Sequence, residues 1–449
     1  MKIDVKSDVL ARHGDFLAAQ TSSGLEVYVL PTKKFKTKLV RVHLRARMSE
    51  RNAARTLVLN LLRRGTRRLP TMVDVSRALE GLYGALWSSA AYKLGDEQIL
   101  SLRLETVEER YLPGHPSVFE PALSIAHDLL FDPHLDAGRF PDDAFAQEKL
   151  NHLREIEAQY DDKLSFAFQR LLDEMFAGEP YGRPVLGTKR EAEALTAADA
   201  VSAWSAMTKE LPARVFAVGD MAPADVLRFV ERDFPLAAGT EAGPAAPPRL
   251  QSAAAPERVV VAKESISQSK LVSGRLVDLA NLSEREFDAL RIYAGVLGGG
   301  FHSRLFQSVR EKHSLAYFAS ASLDRLRGVL YTSCGIDASD REKVSELVEA
   351  EIASLRRAPP REDELDPTRR LVISGVRSTF DSASGMVETF EAGLAARRVR
   401  TLDEVGRSVA AVTAADVQAA AARVGPPCVT FCLEGESRHG GEADGDGSA

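Results

Sequence analysis

Hydrolysis through a metal-bound water needs histidines or carboxylates that converge on one ion, so the first residues to weigh are those whose spacing could supply them. The nine histidines are His13, His43, His115, His127, His134, His152, His302, His313 and His439, and no two lie three or four apart. No helix therefore presents a paired-imidazole site. His127 and His134 straddle Phe131-Asp132-Pro133 and are not expected to converge. Glu148 and Glu155 are seven residues apart, about two helical turns, so both carboxylates share a face. Taken alone that spacing suits a solvated helix, and His152 beside Glu155 adds only a second ligand. A further stretch, from Gly298-Gly299-Gly300 to Tyr317, combines bare backbone with Arg304, Arg310 and an aromatic. Its glycines admit a close neighbour or a plain loop, and no Gly-x-Gly-x-x-Gly or Gly-Lys-Ser/Thr follows, which argues against phosphate binding. On residue type alone, Arg310 reads as a surface ion pair and Tyr317 as a half-buried strand aromatic.

The elements that must carry these residues follow from hydrophobic periodicity. Phe301, Leu305, Phe306 and Val309 recur at three and four, predicting a helix with those four buried, and a strand begins near Tyr317. Upstream, strands are expected over 24–30, 39–48, 85–91, 98–105 and 214–218. Helices are expected over 52–64, 74–82, 118–130, 196–209 and 224–233, with one long helical stretch over 144–176. In the strand over 39–48, Val40, Val42, Leu44 and Ala46 face one way and Arg41, His43, Arg45 and Arg47 the other, so His43 is expected on an exposed basic face. Residues 235–257 gather Pro235, Pro244, Pro247, Pro248 and Pro256 among alanine and glycine and read as a linker. Strands return over 258–262, 270–277, 329–336 and 429–433, with helices over 285–297 and 343–355 and more to about 423. Residues 434–449 read as a disordered, acid-rich tail.

The resulting expectation is an α+β fold: a domain over 1–234, a linker over 235–257, a second domain over 258–433 and the tail. Each domain is a mostly antiparallel sheet layered with helices. The chain has 449 residues, 45% hydrophobic and 27% charged, with net charge −6, which gives no sign of nucleic-acid binding. No run of about 18 apolar residues predicts a membrane span, and no signal-peptide core opens the sequence. Cys334, Cys428 and Cys432 form no disulfide framework and fit a reducing cytoplasm. Cys428 and Cys432, four apart in a strand, are expected on the same side as core residues.

The string Ser303-Arg304-Leu305-Phe306, then Arg310 and Tyr317 seven residues later, behind a glycine loop, resembles the C-terminal domain of the M16 family of insulinase, pitrilysin and mitochondrial processing peptidases. Pro180-Tyr181-Gly182 with Gly187-Thr188 resembles a second family segment. The resemblance covers nearly the whole chain, and within the family it extends to the bacterial group associated with elongation factor P 5-aminopentanol modification. It implies two similar M16-type domains. Active members carry His-x-x-Glu-His ahead of Gly-Thr, where two histidines hold zinc and the glutamate is general base. Counting back from Gly65-Thr66, those positions here are Thr56, Leu59 and Asn60, so both ligands and the base are missing. Glu155 matches the family's third ligand and is left an orphan.

The resemblance thus implies no metal in this chain, with zinc only in a partner subunit. Arg310 and Tyr317 would face that partner's zinc, Arg310 forking onto a peptide carbonyl or carboxylate and Tyr317 donating to the oxyanion. Gly298, Gly299, Gly300 and Arg310 would bind peptide substrate. The expected partner is an M16 chain with an intact motif, in a heterodimer, or a second copy, with no nucleic acid and no membrane. The expected function is a non-catalytic subunit supplying half of a peptide-binding chamber. The rivals are an assembly scaffold of the same fold and an active peptidase with a site of another kind.

Overall fold

The computed structural model describes residues 11–238 and 257–435. The expected linker and tail fall almost wholly outside these residues. Two sheets form. The first uses β1 (Ala11–His13), β2 (Phe16–Gln20), β3 (Glu26–Pro31), β4 (Thr37–Arg47), β5 (Leu86–Leu94), β6 (Glu97–Val107) and β7 (Ala213–Gly219), in the order β1-β2-β3-β7-β4-β6-β5. The second uses β8 (Arg258–Lys263), β9 (Ser269–Val277), β10 (Ala316–Asp324), β11 (Val329–Ile336) and β12 (Val424–Glu434), in the order β10-β11-β9-β12-β8. Among these strands of the described residues, β3–β7 and β8–β12 pair in parallel and the rest antiparallel. The fold is the expected α+β arrangement of two mostly antiparallel sheets with helices.

The chain forms two compact units, and neither is continuous in sequence. One takes in residues 11–158, 183–238 and 379–401, the other 159–182, 257–378 and 402–435. Each sheet has helices on one face and, on the other, a helix from the opposite half of the chain. The helix Lys163–Met175 covers the second sheet, where Ala167 and Leu171 pack with Val272, Leu276 and Phe431. Gly274 permits this approach, because a Cβ there would sit 2.6 Å from the Met175 sulfur. The helix Ala383–Ala395 covers the first sheet through Met386, Val387 and Phe390 against Phe16, Tyr28 and Phe216. Phe390 stacks on Phe16 at 4.2 Å between ring centroids.

This exchange overturns three local expectations. The helical stretch over 144–176 is two helices, Asp142–Asp161 and Lys163–Met175. Asp162 separates them by capping the second, its Oδ1 accepting from the backbone N–H groups of Leu164 and Ser165. His43 is not exposed: Arg41, His43 and Arg45 are as buried as the apolar side of β4, because the helix Ala383–Ala395 lies on that face. A Glu391 carboxylate oxygen of that helix lies 2.9 Å from His43 Nδ1, and the carboxylate accepts from the Tyr92 hydroxyl. Burial alone would raise the Glu391 carboxyl, but His43, Tyr92 and Arg214 outweigh it and hold it below the usual carboxylate range. Finally, Cys428 and Cys432 face opposite sides of β12, Cys432 among the helices of the second unit and Cys428 with Val429 and Phe431. A break in register between Pro427 and Val429 shifts the side-chain alternation by one.

Candidate functional site

The helix Asn52–Leu61 carries the three positions where a zinc motif would stand. Leu59 is buried in the apolar core, Asn60 is half-buried, and Thr56 is enclosed in a polar cluster. The centre of that cluster is Gln98 of β6, fully buried, whose side-chain amide donates to the Asn52 carbonyl at 3.2 Å, Thr56 Oγ1 at 3.1 Å and the Val185 carbonyl at 2.8 Å. The Asn52 side chain donates to the Pro184 carbonyl at 3.0 Å and accepts from the Ser49 N–H at 3.0 Å. Gly187 lets this loop lie on the helix: its φ is 78°, and a Cβ would come within 2.6 Å of Ala53.

The helix Asp142–Asp161 brings no ligand set to this place. Glu155 is exposed. Glu148 is committed to Arg64, whose Nε donates to it at 2.5 Å. His152 is fully buried and donates through Nε2 to the Leu186 carbonyl at 3.0 Å. Burial pushes its imidazole below the ordinary value, and the bond to Leu186 only partly offsets this. Among the described residues no three His, Cys, Asp or Glu side chains are grouped to hold a metal. A zinc ion does not fit the residues here. The two ligand positions carry a hydroxyl and an amide, the base position carries Leu59, and Thr56 is already hydrogen-bonded to Gln98.

The stretch from Gly298 to Tyr317 is built differently. The helix Glu284–Gly298 ends on the three glycines. A Cβ on Gly298 would lie 2.1 Å from the Ala321 nitrogen, so the glycine lets the helix end meet β10. On Gly299 it would lie 2.7 Å from Gly295 Cα. Both glycines are thus already spent on packing within the unit, which the sequence pattern did not reveal.

Arg304 is half-buried, forking onto Glu364 at 2.9 and 3.1 Å and donating to Ser354 at 2.6 Å. Leu305 and Val309 enter the core as expected, but Phe301 does not: it is 76% exposed. The expected helix is displaced, starting only after Ser303, and Phe306–Lys312 winds as a π-helix. Its wider turn is closed by the His313 N–H on the Ser308 carbonyl at 3.3 Å.

Arg310 stands exposed on this turn with its guanidinium 4.8 Å from the Phe306 ring centre, and its Nε is 3.9 Å from Glu311. Tyr317 is 45% exposed on β10. It falls between Ala316, which pairs with Ile336, and Phe318, which pairs with Gly335, so it is the extra residue of a bulge. π-turns and β-bulges both re-aim side chains and recur at functional sites. Sequence reasoning found Arg310 and Tyr317 but not the aromatic neighbours. Helical spacing had assigned Phe301 and Phe306 to a buried face.

The segment Pro180–Gly182 serves structure in its own unit, with the Tyr181 hydroxyl donating to Asp324 at 2.5 Å and lying 2.9 Å from the Tyr331 hydroxyl. Among the described residues no helix is long and apolar enough to cross a membrane.

Comparison with known proteins agrees with this geometry. Residues 194–372 match the family described as Peptidase M16 inactive domain. The chain is similar to the peptidase M16 family over that segment. It is 27% identical over 399 residues to a Bacillus subtilis protein named probable inactive metalloprotease YmfF, covering 88% of this chain and 92% of that one. It is 26% identical over 380 residues to an uncharacterized zinc protease of Streptomyces coelicolor, covering 82% and 78%. Among solved structures, a conserved protein from Enterococcus faecalis superposes with a TM-score of 0.87 at 27% identity, over 95% of this chain and all of that one. A peptidase M16 inactive domain from Pseudomonas fluorescens shares the fold, with a TM-score of 0.74 at 21% identity over 94% and 98%. At the family's zinc positions this chain carries Thr56, Leu59 and Asn60 instead of His-x-x-Glu-His.

Proposed function

We propose that this M16 chain is the non-catalytic subunit of a heterodimeric zinc metallopeptidase. It pairs with an M16 chain that keeps His-x-x-Glu-His and supplies half of the peptide-binding chamber. Zinc resides only in the partner, and the substrate is a peptide. In the completed site Arg310 forks onto a peptide carbonyl or carboxylate, and the Tyr317 hydroxyl donates to the oxyanion that forms when water attacks. One observation carries the reading. Of the zinc positions, Thr56 is taken into a hydrogen-bond network around Gln98 and Leu59 into the apolar core, whereas Arg310 and Tyr317 stay exposed on a π-turn and a bulge. A scaffold has no use for that selectivity. The three buried, unpaired cysteines support a reducing cytoplasm as the place of action.

The test is reconstitution with a zinc-bearing M16 chain. Arg310→Ala is expected to raise KM. Tyr317→Phe keeps the ring and deletes the hydroxyl, so it is expected to lower kcat, by up to about 10²–10³-fold if it is the main oxyanion donor. Dimerisation, followed by sedimentation, is expected to be unchanged in both. Full activity of the double variant would favour the scaffold. Elemental analysis giving one tightly held zinc per isolated chain, with chelator-sensitive cleavage, would instead make it a peptidase in its own right.

A further inference from the structure

Phe301 is the most exposed large apolar side chain among the described residues, at 76%, yet it is not loose. Its ring meets the Phe306 ring edge-on at 5.1 Å and an interplanar angle of 77°. The Gln307 side chain donates to the Phe301 carbonyl at 2.7 Å, fixing the backbone beneath it. Arg310 lies over the same Phe306 ring at 4.8 Å. The three side chains form a ladder, ring to ring to guanidinium, held in place before any ligand arrives. Aromatic and arginine side chains in such a setting are the types that dominate binding energy, and pre-ordering lowers the cost of association. The charge at the end of the ladder is positive. The closest carboxylate recorded, Glu311, is 3.9 Å from Arg310 Nε, beyond hydrogen-bond reach, and Lys312 follows on the exposed surface.

We propose that this ladder selects peptides in which an aromatic or large aliphatic side chain is followed, two or three residues later, by a carboxylate. The apolar side chain rests on Phe301 and Phe306, and the carboxylate takes the guanidinium of Arg310. The spacing follows from the ladder. Its steps of 5.1 and 4.8 Å put the guanidinium within about 10 Å of Phe301. An extended peptide advances about 3.3 Å per residue and covers that distance in about three. The inference rests on the peptide-binding role proposed above and adds the class of peptide.

The experiment is fluorescence anisotropy with the full chain and dye-labelled, C-terminally amidated peptides of Gly and Ser. One set carries Phe-Ala-Glu or Phe-Ala-Ala-Glu at its centre; the controls replace Phe by Ala or Glu by Gln. The Phe–Glu peptides are expected to bind about tenfold more tightly than either control. Phe301→Ser is expected to abolish the preference for Phe while keeping that for Glu, and Arg310→Gln the reverse. Tyr83→Ser, which removes another exposed aromatic, is expected to change neither. Equal binding of all peptides, a uniform loss on Phe301→Ser, or no binding by either the chain or the reconstituted pair overturns the proposal. If the preference fails while Arg310→Ala and Tyr317→Phe still impair cleavage by the pair, only the peptide class is wrong. If the preference holds while cleavage is unaffected, the ladder stands and the subunit role falls.

Discussion

Two regions of this protein put their polar and aromatic side chains to opposite ends. In the first unit, Gln98, Asn52 and Thr56 are buried, and each side chain finds a hydrogen-bond partner within the unit. His43, Tyr92 and Glu391 form a second buried group there, where a helix from the far half of the chain lies on β4. In the second unit, Phe301, Arg310 and Tyr317 are exposed. A polar group whose partners are all internal stabilises the fold. An ordered, exposed aromatic and cation with little structural duty is available to a ligand. Under the function proposed above, the residues that meet substrate lie in the second unit, whereas the degenerate zinc positions lie in the first.

The contrast can be broken by substitution. The largest effect is expected from Glu391→Ala, which leaves His43 and the Tyr92 hydroxyl facing a cavity. Breaking a buried, charged cluster from one side costs about 3–5 kcal/mol. Urea unfolding monitored by circular dichroism measures it, and a loss under about 1 kcal/mol would mean the cluster contributes little. Gln98→Leu keeps the volume but removes the donors serving three acceptors, at an expected cost of about 2–3 kcal/mol by the same assay.

Acid sharpens the comparison further. The Glu391 carboxyl is held below its ordinary value, so its contribution is present above the unfolded value of about 4.3 and is lost as pH falls through the folded one. The stability gap between the native chain and Glu391→Gln is expected to hold near neutral pH and to close as pH falls below about 4.3; a gap independent of pH would contradict this. The smallest effect is expected in the second unit, where Phe301→Ser and Arg310→Ala shift stability by no more than about 0.5 kcal/mol. A larger loss would make the ladder a structural feature.

Much of the fold was legible in the sequence because it rests on local periodicity. The alternation in β4 and the apolar spacing of the helix Glu284–Gly298 each determine an element from neighbouring residues alone. The degenerate zinc positions were legible too, since Gly65-Thr66 fixes where Thr56, Leu59 and Asn60 must fall. Tertiary structure decided what periodicity cannot carry. The basic face of β4 is buried only because a helix more than three hundred residues later lies across it, and a charge on that helix made His43 part of the interior. Phe301 has the spacing of a core residue, but the helix starts late and winds wide, which turns its ring to solvent. Tyr317 is turned outward by a bulge that depends on its pairing with β11. Burial and side-chain direction depend on which distant segment arrives, and a sequence read a few residues at a time does not contain that.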